Sequence, residues 1–329
     1  MQQIRVGIVG YGNLGRGVEC ALRRAPDLKL TGVFTRRPPD RVHIRTPGVP
    51  VRSADALEAE ADTVDVLILC TGSAEDLPVQ SPACALRRPI VDSFDTHARI
   101  PEHFAAVDAA ARSGGTLALL SAGWDPGLFS LARVWAGAVL PGSRCETFWG
   151  PGVSQGHSDA VRRLPGVADA RAYTIPVPAA LEALEGEDAP PLSPREKHTR
   201  VCYVAAEEGA DREAIRAAIT GMPHYFRDYD TQVHFLSRQD LEREHPGLPH
   251  GGRVLCRGRT GWEAEHTARM EVRLALDSNP EFTGCVLVAC ARAAWRLYTA
   301  GERGARTLLD VPPALLSPLP PEELRRTLL

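Results

Sequence analysis

The chain has 329 residues, 44% of them hydrophobic and 24% charged, with a formal charge of −3 and a pI near 6.4. That length suits two domains, and the composition is that of an ordinary soluble globular protein. The mild acidity argues against a nucleic-acid partner, because the arginine pairs Arg23-Arg24, Arg36-Arg37, Arg162-Arg163 and Arg325-Arg326 are scattered.

The N-terminus enters a strand at Ile4 to Val9 with no charged segment ahead of a long apolar one, so no signal peptide is expected. A run of glycines and a helical pattern through Arg24 follow. Residues 28–34 read as a second strand, 53–61 as a short helix, and 64–70 as a third, buried strand. Residues 89–94 make a fourth strand, 101–113 a helix, 115–121 a fifth strand, and Gly127 to Val139 a further helix. Strands alternating with helices predict a parallel sheet with right-handed crossovers.

After about residue 144 the rhythm changes. Strand-like runs appear at 171–177, 199–206, 230–236 and 264–276, with a helix over 211–220. The last strand alternates partially, as a sheet with one wet face requires. Residues 185–196 read as an exposed loop, 281–300 as a helix returning to the first domain, and Glu322 to Leu329 as a short tail helix. The predicted fold is α/β: a Rossmann-like parallel-sheet dinucleotide-binding domain over 1–122 with a return segment at about 280–329. A second, α+β domain for substrate binding and dimerisation, with a mixed or antiparallel sheet, covers 123–279.

No run approaches 18 apolar residues, which predicts no spanning helix and no membrane partner. The eight cysteines lack CxxC spacing, and Cys70, Cys285 and Cys290 lie in apolar runs. Reduced, buried thiols in a cytoplasmic protein are expected, with no metal and no disulfide.

Gly10-Tyr11-Gly12-Asn13-Leu14-Gly15 matches GxGxxG between an apolar strand and a helix, the context that motif needs. The first glycine makes the turn, the second lets the backbone meet a pyrophosphate, and the third lets helix pack on strand. Exposed N–H groups and the helix dipole favour the phosphates. At the end of the second strand stands Thr35-Arg36-Arg37, where an NAD enzyme usually has an acidic residue. Hydroxyl and guanidinium donors suit a 2′-phosphate, so NADP is the expected cofactor.

Ligands of open α/β sheets bind beyond the carboxyl ends of strands. Those ends are Cys70-Thr71-Gly72-Ser73, Asp92-Ser93-Phe94-Asp95 and Ser121-Ala122-Gly123-Trp124-Asp125. All are expected to line the cofactor site, although Asp92, on the strand proper, also suits a structural hydrogen-bonding role. Asp95 and Asp125 could hold a substrate cation beside the nicotinamide, while Asp125-Pro126-Gly127 is also a turn and helix-start signal. A second glycine-rich run, Phe148 to Asp159, adds Trp, Gln and His, the makings of a small-molecule site.

These motifs carry a resemblance to the meso-diaminopimelate D-dehydrogenase family. It runs from end to end through VGIVGYGNLGR, FTRR, SAGWDPG, FWGPGVSQGHSDAVRRLPGV, PHGG and LDSNPEFT. The resemblance implies NADP-dependent, reversible oxidative deamination of the D-centre of meso-2,6-diaminopimelate, giving L-2-amino-6-oxopimelate and ammonia. It implies a homodimer in many members and larger oligomers in some. By motif it implies Asp95, Asp125, Trp149, Gln155 and Gly156 around the D-centre, and Thr174, Arg200, His250 and Asn279 around the L-centre. Without it, His250, Thr174 and Asn279 read as ordinary loop, strand and turn residues. Trp149 reads as pocket wall or core, and His157 as support for the site. The run between Gly252 and Asn279 is longer than the family pattern, which lengthens a hairpin.

The reacting amine must lose a proton before an imine forms, and Asp95 or Asp125 is the candidate acceptor. A carboxylate beside the ammonium raises its pKa, so deamination is expected to run best at alkaline pH. Two rivals remain open: a reductase of a cyclic imine, which would not need Arg200, and a non-catalytic NADP sensor, which would not need Asp125 or Gln155.

Overall fold

The computed structural model describes residues 3–57, 63–140, 142–183, 192–223 and 225–329. Six strands come first: β1 (Ile4–Val9), β2 (Leu28–Thr35), β3 (Val51–Ser53), β4 (Val66–Leu69), β5 (Ile90–Asp92) and β6 (Leu117–Leu119). The next seven are β7 (Arg144–Trp149), β8 (Gly152–Val153), β9 (Val167–Pro176), β10 (His198–Ala206), β11 (Asp230–Phe235), β12 (His250–Thr260) and β13 (His266–Leu276). A last short strand, β14 (Gly304–Arg306), follows the helix Asn279–Thr299.

Contacts divide the chain into two units, Met1–Val134 with Pro280–Leu329, and Trp135–Asn279. The division falls inside the helix Leu128–Val139, not at residue 122.

The first unit holds a seven-stranded sheet in the order β14-β6-β5-β4-β1-β2-β3, and every pairing is parallel. Order reverses between β1 and β4, which places the switch point at the end of the glycine-rich turn. The strands are apolar on both faces because both faces are covered. Val6, Ile8, Val66 and Ile68 pack on one side with Leu287, Ala291 and Ala294 of the long C-terminal helix. Leu67, Leu69 and Ile90 pack on the other with Leu77, Val107 and Ala111. A half-buried ion pair between Arg292 and Asp27, at 2.5 and 2.7 Å, ties the returning helix to the turn before β2.

The second unit holds two sheets. One is mixed, β11-β10-β9-β8, with β10 and β11 parallel; the other, β13-β12-β7, is antiparallel. The lengthened run after Gly252 forms the β12–β13 hairpin, and Trp262 at its tip is fully exposed.

Three sequence expectations are corrected. Residue 53 belongs to β3, and 54–57 form a single 3-10 turn; residues 58–61 lie outside the described residues. The Ala and Leu there favour helix, but pairing of β3 with β2 takes the first residue. The predicted loop at 185–196 ends in a helical turn, Pro194–Lys197, with Ser193 and Glu196 in a capping box; 185–191 lie outside the described residues. Cys145 and Cys256 form a disulfide, with six other cysteines free. The two are direct cross-strand partners in the β7–β12 ladder, with Cα atoms 4.0 Å apart. Their separation of 111 residues gives no hint of that register.

Candidate active site

In the first unit the glycine turn has the shape a pyrophosphate needs. Gly10 has φ of +88°, and a side chain on Gly15 would strike the Gly10 carbonyl at 2.3 Å. A side chain on Gly12 would meet open space, which leaves the backbone at the head of the helix Asn13–Leu22 approachable. Tyr11 is held from below by Glu19, a buried carboxylate that also accepts the N–H groups of Arg45 and Thr46 at 2.8 and 2.5 Å. At the end of β2, the Thr35 hydroxyl accepts the Arg37 N–H at 3.1 Å, and the Arg37 guanidinium donates to the Tyr11 carbonyl. Arg36 is exposed and pairs bidentately with Asp76 at 2.8 Å. Two guanidinium groups and a hydroxyl flank the place where a 2′-phosphate would bind, so these residues fit NADP.

The three strand ends are tied together. The Ser73 hydroxyl accepts the Asp95 N–H at 2.9 Å, and the side chain of Thr71 donates to Gln80 at 2.7 Å. Asp95 is exposed. The Asp125 side chain is buried and pairs with Arg133 at 2.7 Å, an arginine that also donates to Ser130. The Asp125-Pro126 bond is cis, and Gly127 N–H donates to Ser130 Oγ at the head of the helix Leu128–Val139. Cys70 and Phe94 are buried. Asp92 has no exposure, and both its oxygens are occupied by the protein. Its side chain holds neighbouring loops, which is the hydrogen-bonding role, and leaves only the backbone of Asp92 to line a cofactor site.

In the second unit, two glycines let a sharp corner form. Gly150 has φ of +99°, and a side chain there would strike the Thr174 carbonyl at 2.1 Å. A side chain on Gly152 would strike His250 Cα at 2.3 Å. The FWGPG run therefore passes tightly between β9 and the start of β12, and brings Trp149, Thr174 and His250 to one region. Thr174 and Arg200 are cross-strand partners in β9 and β10. Both are buried, and the Arg200 guanidinium donates to the Thr174 hydroxyl and lies 4.1 Å from the Tyr229 ring centroid. No carboxylate pairs with Arg200 among the described residues, and its Nε has no partner. A buried guanidinium without an anion is costly unless a ligand supplies one.

Three histidines face this charge. Burial is the main cause of their shifts, and Arg200 adds to each: His157 and His198 are pushed down to about 3, and His250 to about 4. All three are neutral at physiological pH. His157 Nδ1 lies 2.7 Å from the Ser154 hydroxyl, which fits the supporting role expected of it. His198 accepts the Trp149 N–H at 2.9 Å through Nε2 and stacks on the indole, with centroids 5.4 Å apart. Sequence reading missed His198, although it lies two positions before Arg200 in β10 and so shares its face. It also missed Arg133 as the partner of Asp125.

Gln155 and Gly156 open the helix Gln155–Arg162 after Ser154, so their N–H groups belong to its first turn. Asn279 opens the helix Asn279–Thr299, and its N–H donates to the Leu248 carbonyl at 2.9 Å.

The neutral histidines make stability depend on pH. Their folded-state pKa values lie below the unfolded value of 6.5, so below that pH the unfolded chain binds more protons. Stability is full above about pH 6.5 and falls with acidification, by at most ~4 kcal/mol per pH unit for three groups. Urea unfolding at pH 7.5 and 5.5 should show a clearly lower midpoint at 5.5. Equal midpoints would mean the three histidines are not neutral in the fold.

Residues 123–278 match the family profile described as the diaminopimelic acid dehydrogenase C-terminal domain. The chain is 52% identical over 329 residues to the meso-diaminopimelate D-dehydrogenase of Acetivibrio thermocellus, covering 100% of this chain and 98% of that one. Among solved structures, the diaminopimelate dehydrogenase of C. glutamicum in complex with DAP matches with a TM-score of 0.93 at 45% identity, covering 100% of both chains. An engineered D-amino acid dehydrogenase bound to NADP+ matches with a TM-score of 0.91 at 44% identity, again over 100% of both chains.

Proposed function

The chain belongs to the meso-diaminopimelate D-dehydrogenase family, and from that premise we propose that it deaminates the D-centre of meso-2,6-diaminopimelate. The reaction converts substrate, water and NADP+ into L-2-amino-6-oxopimelate, ammonia, NADPH and a proton. The carrying observation is Arg200: a buried guanidinium that lacks a carboxylate partner among the described residues and is bonded to Thr174. A distal substrate carboxylate would complete that pair.

The bound NADP+ supplies the acceptor for the hydride that leaves the D-centre. The residues of this chain supply the rest. Gly10 to Gly15 receive the phosphates, while Thr35, Arg36 and Arg37 select the 2′-phosphate. Arg200 and Thr174 take the L-centre carboxylate. Neutral His250 and Asn279 supply hydrogen bonds for its amine. Gln155 and the Gly156 N–H take the carboxylate of the D-centre, and Trp149, set by His198, forms a wall. Asp95 and Asp125 face the D-ammonium, and one of them accepts its proton. Fixing both ends of a flexible seven-carbon diacid aligns one hydrogen with the cofactor, and this alignment is the main source of rate. The family likeness also supports a homodimer and a cytoplasmic location as part of this proposal. Among the described residues no helix is long and apolar enough to cross a membrane.

The test is NADPH formation at pH 10 with the meso, LL and DD isomers supplied separately. Turnover of meso alone is expected, faster at pH 10 than at pH 7. Comparable turnover of the LL isomer, or a flat rate between those pH values, would overturn the reading.

A further inference from the structure

Asp92 closes β5 in the first unit, and its side chain is wholly buried. Oδ1 accepts two backbone N–H groups, from Phe94 at 3.2 Å and from Ser121 at 2.9 Å. Oδ2 accepts the Ser81 hydroxyl at 2.7 Å and lies 2.7 Å from His103 Nε2. The Asp92 carbonyl accepts a further N–H, from Ala122, at 2.9 Å. His103 in turn stacks on Phe94, with centroids 4.1 Å apart and rings 17° from parallel.

The two N–H groups on Oδ1 begin two different loops. One loop leaves β5 and reaches Asp95 immediately after Phe94. The other leaves β6 and runs from Ser121 to Asp125. Ser121 sits at φ +52°, a left-handed conformation that a serine adopts only when its surroundings hold it there. Phe94 is pinned on one side by Asp92 and on the other by the His103 ring. We propose that Asp92 is the positioning residue that sets the two D-centre carboxylates relative to each other, with His103 and Ser81 fixing the orientation of its carboxylate. The proposal rests on the dehydrogenase reading above. Both side-chain oxygens of Asp92 are taken by groups of the protein, so the side chain acts through the backbone of the residues that would meet the substrate.

The arrangement explains why a carboxylate serves here. Four donors converge on one planar group, two on each oxygen, and only Asp offers that acceptor capacity at this reach. An amide can still accept the Phe94 and Ser121 N–H groups through its oxygen. Its NH2 can donate to the Ser81 hydroxyl and to an unprotonated His103 Nε2. Alanine can do neither.

The experiment compares Asp92→Ala, Asp92→Asn and His103→Phe with the wild type, reading kcat and KM for meso-diaminopimelate, NADP affinity by fluorescence, and Tm. Asp92→Ala is expected to lose about 100-fold in kcat, because loops misplaced by an ångström cost that much. Its NADP affinity should stay within about threefold, since the phosphates are held at the glycine turn. Asp92→Asn should recover kcat to within about tenfold of wild type. His103→Phe keeps the stack on Phe94 but loses the bond to Oδ2, and should lower kcat by about fivefold with NADP affinity intact. If Asp92→Ala does not fold, the kcat of His103→Phe decides. A merely structural role would lower Tm in these variants and leave kcat per NADP-binding molecule unchanged, and that result overturns the proposal. A wild type that forms no NADPH from meso-diaminopimelate would sink the dehydrogenase reading and this one with it. An active wild type with an equally active Asp92→Ala would sink this one alone.

Discussion

Replacing Arg200 with methionine should raise KM for meso-diaminopimelate by two to three orders of magnitude while NADP affinity stays unchanged. A bidentate guanidinium–carboxylate contact contributes two charge-assisted hydrogen bonds, each about 1.5–3 kcal/mol. Losing both costs roughly 10²- to 10⁴-fold in binding. The lower part of that range is expected, because the Thr174 hydroxyl, bonded to Arg200 in the free protein, becomes available to the carboxylate. kcat should fall less than kcat/KM, since the group is remote from the reacting carbon and acts through binding. The charge of Arg200 also helps to hold His157, His198 and His250 neutral. The variant should therefore lose less stability than the wild type as pH falls through about 4, where the buried histidines themselves begin to titrate. Steady-state kinetics at pH 10 and paired unfolding curves check both effects. An unchanged KM would instead fit an enzyme whose substrate has no distal amino-acid centre, such as a cyclic-imine reductase.

The parts of this fold that were legible in sequence are those with long periodic runs. Ile4 to Val9 followed by the glycines fixes a strand, a turn and a helix, and the alternation with helices fixes a parallel sheet. The three-residue strands β3 and β14 are too short to show a period. The helix Leu77–Ala85 contains Pro78 and Pro82, which disguise it as loop. Strands β7 and β12 pair antiparallel across more than a hundred residues, and that pairing is what joins Cys145 to Cys256.

The site divides the same way. The glycines and Thr35-Arg36-Arg37 declare their chemistry locally, because a phosphate loop is a continuous segment. Thr174 and Arg200 are visible only through the family likeness, because their meaning lies in the β9–β10 register. Asp92 looks from sequence like one more residue at a strand end. Its role depends on Ser81, His103 and Ser121, none of which adjoins it in the chain. Long-range hydrogen bonding is not encoded in spacing, and this is where sequence reading stops.

The second large effect is expected at Asp125. Asp125→Asn should lower kcat by about 10²- to 10⁴-fold, the usual loss when a positioned acid–base group is removed. Asparagine keeps the volume and one acceptor for Arg133, so the fold and NADP binding should survive. The carboxylate of Asp125 is already shared with Arg133 at 2.7 Å. That pairing draws negative charge away from a substrate ammonium and weakens its grip on the ammonium's protons. It relieves the conflict between binding an ammonium and deprotonating it. In the variant the substrate amine loses its counter-charge, so its pKa in the complex drops. The acidic limb of the kcat profile should then move down by about 1 unit even as the maximum rate collapses. A rate that falls with no movement of the limb would mean that Asp125 is not the counter-charge of the ammonium, and would assign that role and the proton to Asp95. That carboxylate is exposed, and its backbone N–H is held by Ser73. Asp95→Asn would then show the shifted limb that Asp125→Asn lacks.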